Sequence, residues 1–252
     1  MDSLILIVIL GAALAGFVQG LSGSNFGLVA MAVWAWALDP TLTGPLVVCG
    51  SLTGQLLAAG ALRKQLDLPR LWPMVAGGVL GVPLGVLLLH QVDPVWFRLL
   101  VGIVLVLWCP LMLFSAHLPR LAGNSRRADA GVGLVGGIMG GLGGLGGPAP
   151  ALWAVLNNWD RATQRSVIQG FNLAMQASTM LTYLLSGTVT AQALGLFAVV
   201  VLAVLVPTLL GVRLYRGMSD QLFRRLVLGL LTLSGWLLIG LSLPGVLAGG
   251  SA

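Results

Sequence analysis

Near its start the chain reads Gly16-Phe-Val-Gln-Gly20-Leu-Ser-Gly23-Ser-Asn-Phe-Gly27, a glycine-rich break inside a long apolar run. Past the middle it reads Gly136-Gly-Ile-Met-Gly140-Gly-Leu-Gly143-Gly-Leu-Gly-Gly147, followed by Pro148-Ala-Pro150. The pairs 16/136, 20/140, 23/143 and 27/147 are each 120 residues apart. Breakers at matching places in two apolar halves mark a duplicated membrane unit, and in carriers such broken segments point to the binding site.

Working outward, apolar runs fall at about 3–20, 26–38, 44–62, 71–90 and 95–114, then at about 131–146, 148–158, 166–186, 192–212 and 222–243. The chain thus divides into a first membrane repeat (1–114), a polar, arginine-bearing cytoplasmic connector (115–130) and a second membrane repeat (131–252). The second run of each half is short. Thirteen residues span roughly 20 Å as a helix, against a hydrocarbon core roughly 30 Å thick. The pattern therefore predicts a re-entrant or half-crossing hairpin whose tip is shielded by protein.

Composition agrees. Hydrophobic residues make up 58% of the chain and charged residues 8%, far below the charge of a water-soluble domain. The formal charge of +6 does not point to nucleic acid, because the basic residues sit in short clusters between apolar runs. Those clusters set orientation. Arg63, Lys64 and Arg70, then Arg120, Arg126 and Arg127, then Arg161 and Arg165, then Arg213, Arg216, Arg224 and Arg225 mark cytoplasmic loops. The loops at 39–43, 90–94 and 186–192 and the carboxyl tail lack such clusters and are placed outside. The first half then starts outside and ends inside, and the second does the reverse, with both termini outside. The first apolar run has no basic flank before it and is read as a retained membrane segment, not a signal peptide.

Other matches sit at slightly different spacings: Asp39 with Asp160, Ser51 with Asn172 and Gln55 with Gln176 at 121 residues, Pro83 with Pro207, and Phe97-Arg98 with Phe223-Arg224. The fold class expected is an all-α integral membrane protein of two inverted-topology repeats. Each repeat has a glycine-broken short hairpin followed by three transmembrane helices.

A helix that begins in mid-membrane offers unpaired N–H groups and a positive dipole end. Inverted halves bring two such tips together, an arrangement suited to a small anion. The candidate binding residues at the tips are Ser22, Gly23, Ser24, Asn25 and Gly27, and Gly143, Gly144, Gly146 and Gly147. The competing reading is close helix packing, which suffices for Gly16, Gly20, Gly136 and Gly140. Gln169, Asn172, Gln176 and Thr179 share one helical face. Asn172, Gln176 and Gln55 are candidates to line the substrate path, since neutral amides donate hydrogen bonds without burying charge. Ordinary interhelical hydrogen bonding is the alternative.

Arg98 and Arg224 open helices, where snorkelling is the default and attraction of anions to the mouths the alternative. His90 and His117 stand apart, and no Cys/His cluster has ligand spacing, so neither a metal nor a cofactor is expected. Cys49 and Cys109 lie in apolar runs, which speaks against a structural disulfide. No nucleophile–base constellation is recognisable, so the chain does not read as an enzyme. All seven acids are aspartates in or beside expected loops, so no buried carboxylate is expected to couple transport. Asp39 and Asp160 read as helix caps.

On the stretch from Gly136 to Gly147 with Pro148-Ala-Pro150-Ala-Leu, and on the duplicated layout of nearly the whole chain, the protein resembles the TauE/SafE family of sulfite exporters. The resemblance implies a transporter of sulfite, sulfonates such as sulfoacetate, or other small anions, in a bacterial cytoplasmic (inner) membrane. Its partners would be the small anionic substrate and the lipid bilayer, with no nucleic acid; a homodimer is left open. The first half departs from the family pattern, with Ser22, Ser24, Asn25 and Phe26 in place of glycines and no following proline. An alternating-access carrier leads these readings. A channel-like anion pore comes second, and a non-transporting membrane assembly factor third.

Overall fold

The computed structural model describes residues 2–58, 67–115, 125–214 and 220–249. Arg63, Lys64, His117, Arg120 and Arg216 lie outside the described residues, as do the side chains of Arg161, Phe223, Arg224 and Arg225. Among the described residues there are ten helices and no strand: α1 (Asp2–Ser22), α2 (Phe26–Trp34), α3 (Pro40–Ala58), α4 (Leu68–Gln91), α5 (Pro94–Leu113), α6 (Arg126–Gly143), α7 (Pro148–Leu156), α8 (Arg161–Leu185), α9 (Ala191–Leu214) and α10 (Asp220–Gly249).

Several helix starts are written by aspartate, often next to proline. Asp67 accepts from the Arg70 N–H at 3.4 Å and Asp93 from the Val95 N–H at 2.8 Å, with Pro69 and Pro94 in the first turns. These side chains satisfy amides that the helix itself leaves unpaired. Asp160 caps α8 as expected, accepting from the N–H groups of Ala162 and Thr163, each at 3.0 Å. At Asp39 the reading needs correction. It is the backbone carbonyl that accepts, from the Leu42 and Thr43 N–H groups and, at 2.8 Å, from the Thr43 hydroxyl.

α2 and α7 have nine residues each, roughly 14 Å of helix. Both are shorter than the apolar runs that announced them, because α2 stops at Trp34 and α7 at Leu156. Among the described residues, five helices are long and apolar enough to cross a membrane: Ser3–Ser22, Leu68–Gln91, Pro94–Leu113, Ala191–Leu214 and Val227–Pro244. α3 and α8, expected as spans, are not among them. They carry the polar residues Thr43, Ser51, Gln55, Gln169, Asn172, Gln176 and Thr179, all buried, and pack against one another. α4, α5, α9 and α10 expose leucines such as Leu80, Leu107, Leu202 and Leu241. Of these, α4 and α9 pack on the polar pair and turn apolar outer faces away from it.

The main packing exchanges helices between the halves. α4 lies along α6, and α1 along α9. On α4, Gly77, Gly81 and Gly85 meet the backbone of Ala130, Leu134 and Ile138, so α4 and α6 run in the same direction. In return Gly133, Gly137 and Gly141 meet the backbone of Met74, Gly78 and Val82. Two small-residue ladders at four-residue spacing let these backbones touch, and in lipid such contact takes the place of the hydrophobic drive. Gly16 and Gly20 do the same for α1 against Val204, Thr208 and Gly211 of α9, also in parallel, and the Thr208 hydroxyl donates to the Gly16 carbonyl at 3.1 Å. α5 and α10 cross antiparallel, with Gly102 facing Gly235 and Ile239 and Gly235 facing Leu105 and Val106.

Gly16 and Gly20 therefore pack helices, as expected. Gly136 and Gly140 do so less directly, facing Phe171, Thr179 and Gly146, while the tight ladder on α6 is one residue on. Asp129 is a second departure. Read as part of the connector, it lies in the first turn of α6 and is buried, so a carboxylate does sit within the packed helices.

Candidate functional site

Each chain break is a glycine in the left-handed region. Gly23, after α1, has φ 74°, and Gly144, after α6, has φ 73°. These two are 121 residues apart, not 120, so the backbone matches at the spacing of the polar pairs. Asn25 adds a second left-handed residue, φ 74°, immediately before α2. In a non-glycine residue that conformation is uncommon, and asparagine tolerates it better than most.

Both turn carbonyls are held by amides of α8. Gln169 Nε2 donates to the Gly23 carbonyl at 3.3 Å, and Gln176 Nε2 to the Gly144 carbonyl at 3.1 Å. Since the two glutamines share a face, one helix pins both breaks. A third amide, Gln19 Nε2 of α1, donates to the Ser51 carbonyl of α3 at 3.0 Å. The amide stripe thus braces the tips first.

The breaks meet. A β-carbon on Gly27 would collide with the Gly144 carbonyl, and between them lies a cavity of about 20 Å³, room for one water-sized group. Asn25, Gly27, Gln55, Gly144, Gly147, Asn172 and Gln176 line it, seven of the twelve candidates named from sequence. The other five form the breaks behind it. Ser22 turns its hydroxyl to the Val18 and Ser24 carbonyls, at 2.8 and 2.5 Å. Gly23 faces Gln169 and, farther off, the Arg165 guanidinium; Gly143 faces Met31 and Phe97; Gly146 faces the Gly136 carbonyl. Ser24 is not in the lining.

Gln19 is a lining residue that sequence reasoning missed, although an amide between Gly16 and Gly20 in an otherwise apolar stretch was a usable signal. Ser51, Phe26, Leu28, Leu145 and Pro148 complete the wall.

The wall carries no ionisable group, and its polarity comes from backbone and amides. The first helical bond of α2 joins the Val29 N–H to the Asn25 carbonyl at 3.2 Å, leaving the N–H groups of Phe26, Gly27 and Leu28 at the open end. In α7 the first such bond joins the Ala151 N–H to the Gly147 carbonyl at 3.2 Å. Pro148 and Pro150 have no N–H to offer, so Ala149 stands alone in that turn. The two tips are unequal donors. Among the described residues, no group of the protein bonds the buried Oε1 atoms of Gln19, Gln55 and Gln176 or the Thr179 hydroxyl.

The helical bundle and its five apolar helices define a multi-pass membrane protein. The family model described as "Sulfite exporter TauE/SafE" matches residues 8–238, and the chain belongs to this family of membrane transporters. No curated protein and no solved structure matches it.

Proposed function

We propose that this chain carries small sulfur-containing or organic anions, such as sulfite, sulfonates or sulfoacetate, out across a bacterial cytoplasmic membrane by alternating access between two inverted-topology halves. The observation that carries the reading is the meeting of the two breaks at Gly27 and Gly144 around a cavity lined by neutral amides and the open start of α2. Helix N-termini and amide N–H groups hold an anion without a buried counter-charge, which the bilayer would penalise.

Helix directions support the inversion. α5 and α10, the fifth helix of each half, run antiparallel, whereas α1 runs with α9 and α4 with α6. A pair of halves related by a two-fold axis in the membrane plane produces this set of directions. α2 and α7 are then half-crossing arms whose tips face one another near the midplane. The cavity has room for one water-sized group, so passage of an anion between the tips requires a tip to move. An inside-negative potential of 100 mV would favour exit of a monovalent anion by about 2.3 kcal/mol, which suits export.

Purified protein in proteoliposomes tests the reading with a panel of sulfite, thiosulfate, sulfoacetate, taurine and simple carboxylates. The expected result is saturable flux of at least one anion with exchange against the same anion on the far side. Flux that rises linearly with concentration and shows no exchange would instead establish a pore.

A further inference from the structure

The two short helices are tied to the long helices before them by the same donor and by different acceptors. In the first half the Trp34 indole N–H on α2 donates to the Ile7 backbone carbonyl on α1 at 3.2 Å. In the second half the Trp153 indole N–H on α7 donates to Asp129 Oδ1 on α6 at 2.7 Å. A peptide carbonyl does not titrate, whereas a carboxylate does. Asp129 is 5% exposed and makes no ion pair among the described residues.

Packing differs in the same sense. All residues of α2 except Val33 are buried, and Ser234 of α10 donates its hydroxyl to the Ala32 carbonyl at 3.0 Å. In α7 the buried residues are Pro148, Pro150 and Ala154. Beside it, between α6 and α7, lies an open apolar recess of about 370 Å³ walled by Val132, Val135, Leu152, Trp153 and Leu156. α7 therefore has few contacts to fix it and space beside it. At its other end Gly147 and Pro148 line the cavity.

We propose that Asp129 is a positioning residue for transport: its ionised carboxylate holds Trp153 and so sets the α7 tip, and its protonation lets that tip move. The proposal rests on the reading of the two tips as a transport site. A charge-assisted hydrogen bond is roughly twice as strong as a neutral one, so the tie is weaker when the carboxyl is protonated. Among the described residues, the charged or titratable groups on the elements packed against α6 are Arg126 and Arg127 on α6 itself, Arg70 and His90 on α4 with its cap Asp67, and Arg165 and Tyr183 on α8 with its cap Asp160. Asp67 and Arg70 pair with each other at 3.5 Å, and Tyr183 donates to the Gly141 carbonyl at 2.7 Å. α7 has none, and α3 has only the thiol of Cys49. Asp129 is thus the group whose ionisation acts directly on Trp153.

The test uses the full chain, labelled with ¹⁵N at its tryptophan indoles, in lipid nanodiscs. Loss of one resonance in Trp153→Phe assigns Trp153. In the wild type that resonance shifts with pH, and amide exchange in α7, corrected for its intrinsic pH dependence, rises several-fold as pH falls. Asp129→Asn fixes the resonance and gives fast exchange at every pH, and Asp129→Glu restores the titration. A wild-type Trp153 resonance indifferent to pH, or equal α7 exchange in wild type and Asp129→Asn, overturns the proposal. Anion flux is followed in parallel. No flux of any anion with the titration intact overturns the transport reading and leaves the Asp129 tie standing, whereas intact flux with no titration does the opposite.

Discussion

Gly27, at the start of α2, lies so close to the carbonyl oxygen of Gly144, in the break between α6 and α7, that a β-carbon on Gly27 would collide with it. Two backbones from opposite halves of the chain touch at this point, and the cavity opens beside the contact. Only glycine permits that approach.

Gly27→Ala should therefore separate the tips and cost about 1–3 kcal/mol, as overpacking does in a closed interior. Gly144→Ala adds left-handed strain and a contact with Val47 at 2.7 Å, and should be the worse of the two. Gly147→Leu should eliminate anion binding with insertion intact, because its side chain would grow into Asn172, 3.3 Å from a β-carbon there. Gly143→Leu should act mainly on stability, through Met31 and Phe97. Melting temperature in detergent, read beside equilibrium binding, separates the two effects. Unchanged binding in Gly147→Leu would remove Gly147 from the site.

Removing the brace of either break should loosen it. Gln169→Leu strips the Gly23 carbonyl of its amide donor, and Gln176→Leu that of Gly144. An unpaired buried carbonyl costs about 1–3 kcal/mol. Each variant should melt earlier, and Gln176→Leu should also bind anion less tightly because Gln176 lines the cavity. Equal binding losses in both would mean that the lining position of Gln176 carries no weight.

The sequence disclosed the helical class, the two short helices and the polar face of α8, because each rests on local periodicity or on glycine density. It misplaced the register of the breaks. The 120-residue glycine spacing matches letters, but the turn conformation recurs from Gly23 to Gly144, which glycine runs such as 143–144 and 146–147 disguise. It placed Asp129 in a loop because Arg126 and Arg127 precede it, and only the tertiary contact with Trp153 shows it buried. Gln19 went unnoticed since its counterpart 121 residues on is Gly140. The α4 ladder of Gly77, Gly81 and Gly85 becomes meaningful only once α6 is known to lie against it.

Asp160 offers a pH test of a cap. A hydrogen bond from the Thr163 side chain, then backbone N–H groups, holds its carboxyl below the usual range. A depressed native pKa stabilises the fold above the unfolded-state value, and this contribution is lost as pH falls through the native value. Asp160→Ala should lower the melting temperature at neutral pH, and its gap from wild type should close in acid. Asp160→Asn keeps a capping acceptor and should fall in between. A gap that persists unchanged into acid would exclude the carboxylate as its source.

Orientation can be read by thiol labelling of intact cells in a background with Cys49 and Cys109 replaced. Thr188 is buried against His90, so Gln192, exposed at the start of α9, is the better outer reporter. Gln192→Cys should react in intact cells, and Ser125→Cys and Ala162→Cys only after permeabilisation. Ala162→Cys and Gln192→Cys reacting from the same side would contradict the inverted layout, since α8 joins them.

The most direct measurement of the central claim is counterflow in proteoliposomes loaded with unlabelled sulfite or sulfoacetate and given a trace of the same labelled anion outside. The account predicts transient accumulation of label above equilibrium, saturable by the outer anion and absent in Gly147→Leu. Label that never exceeds equilibrium for any anion of the panel, or accumulation that persists in Gly147→Leu, would contradict it.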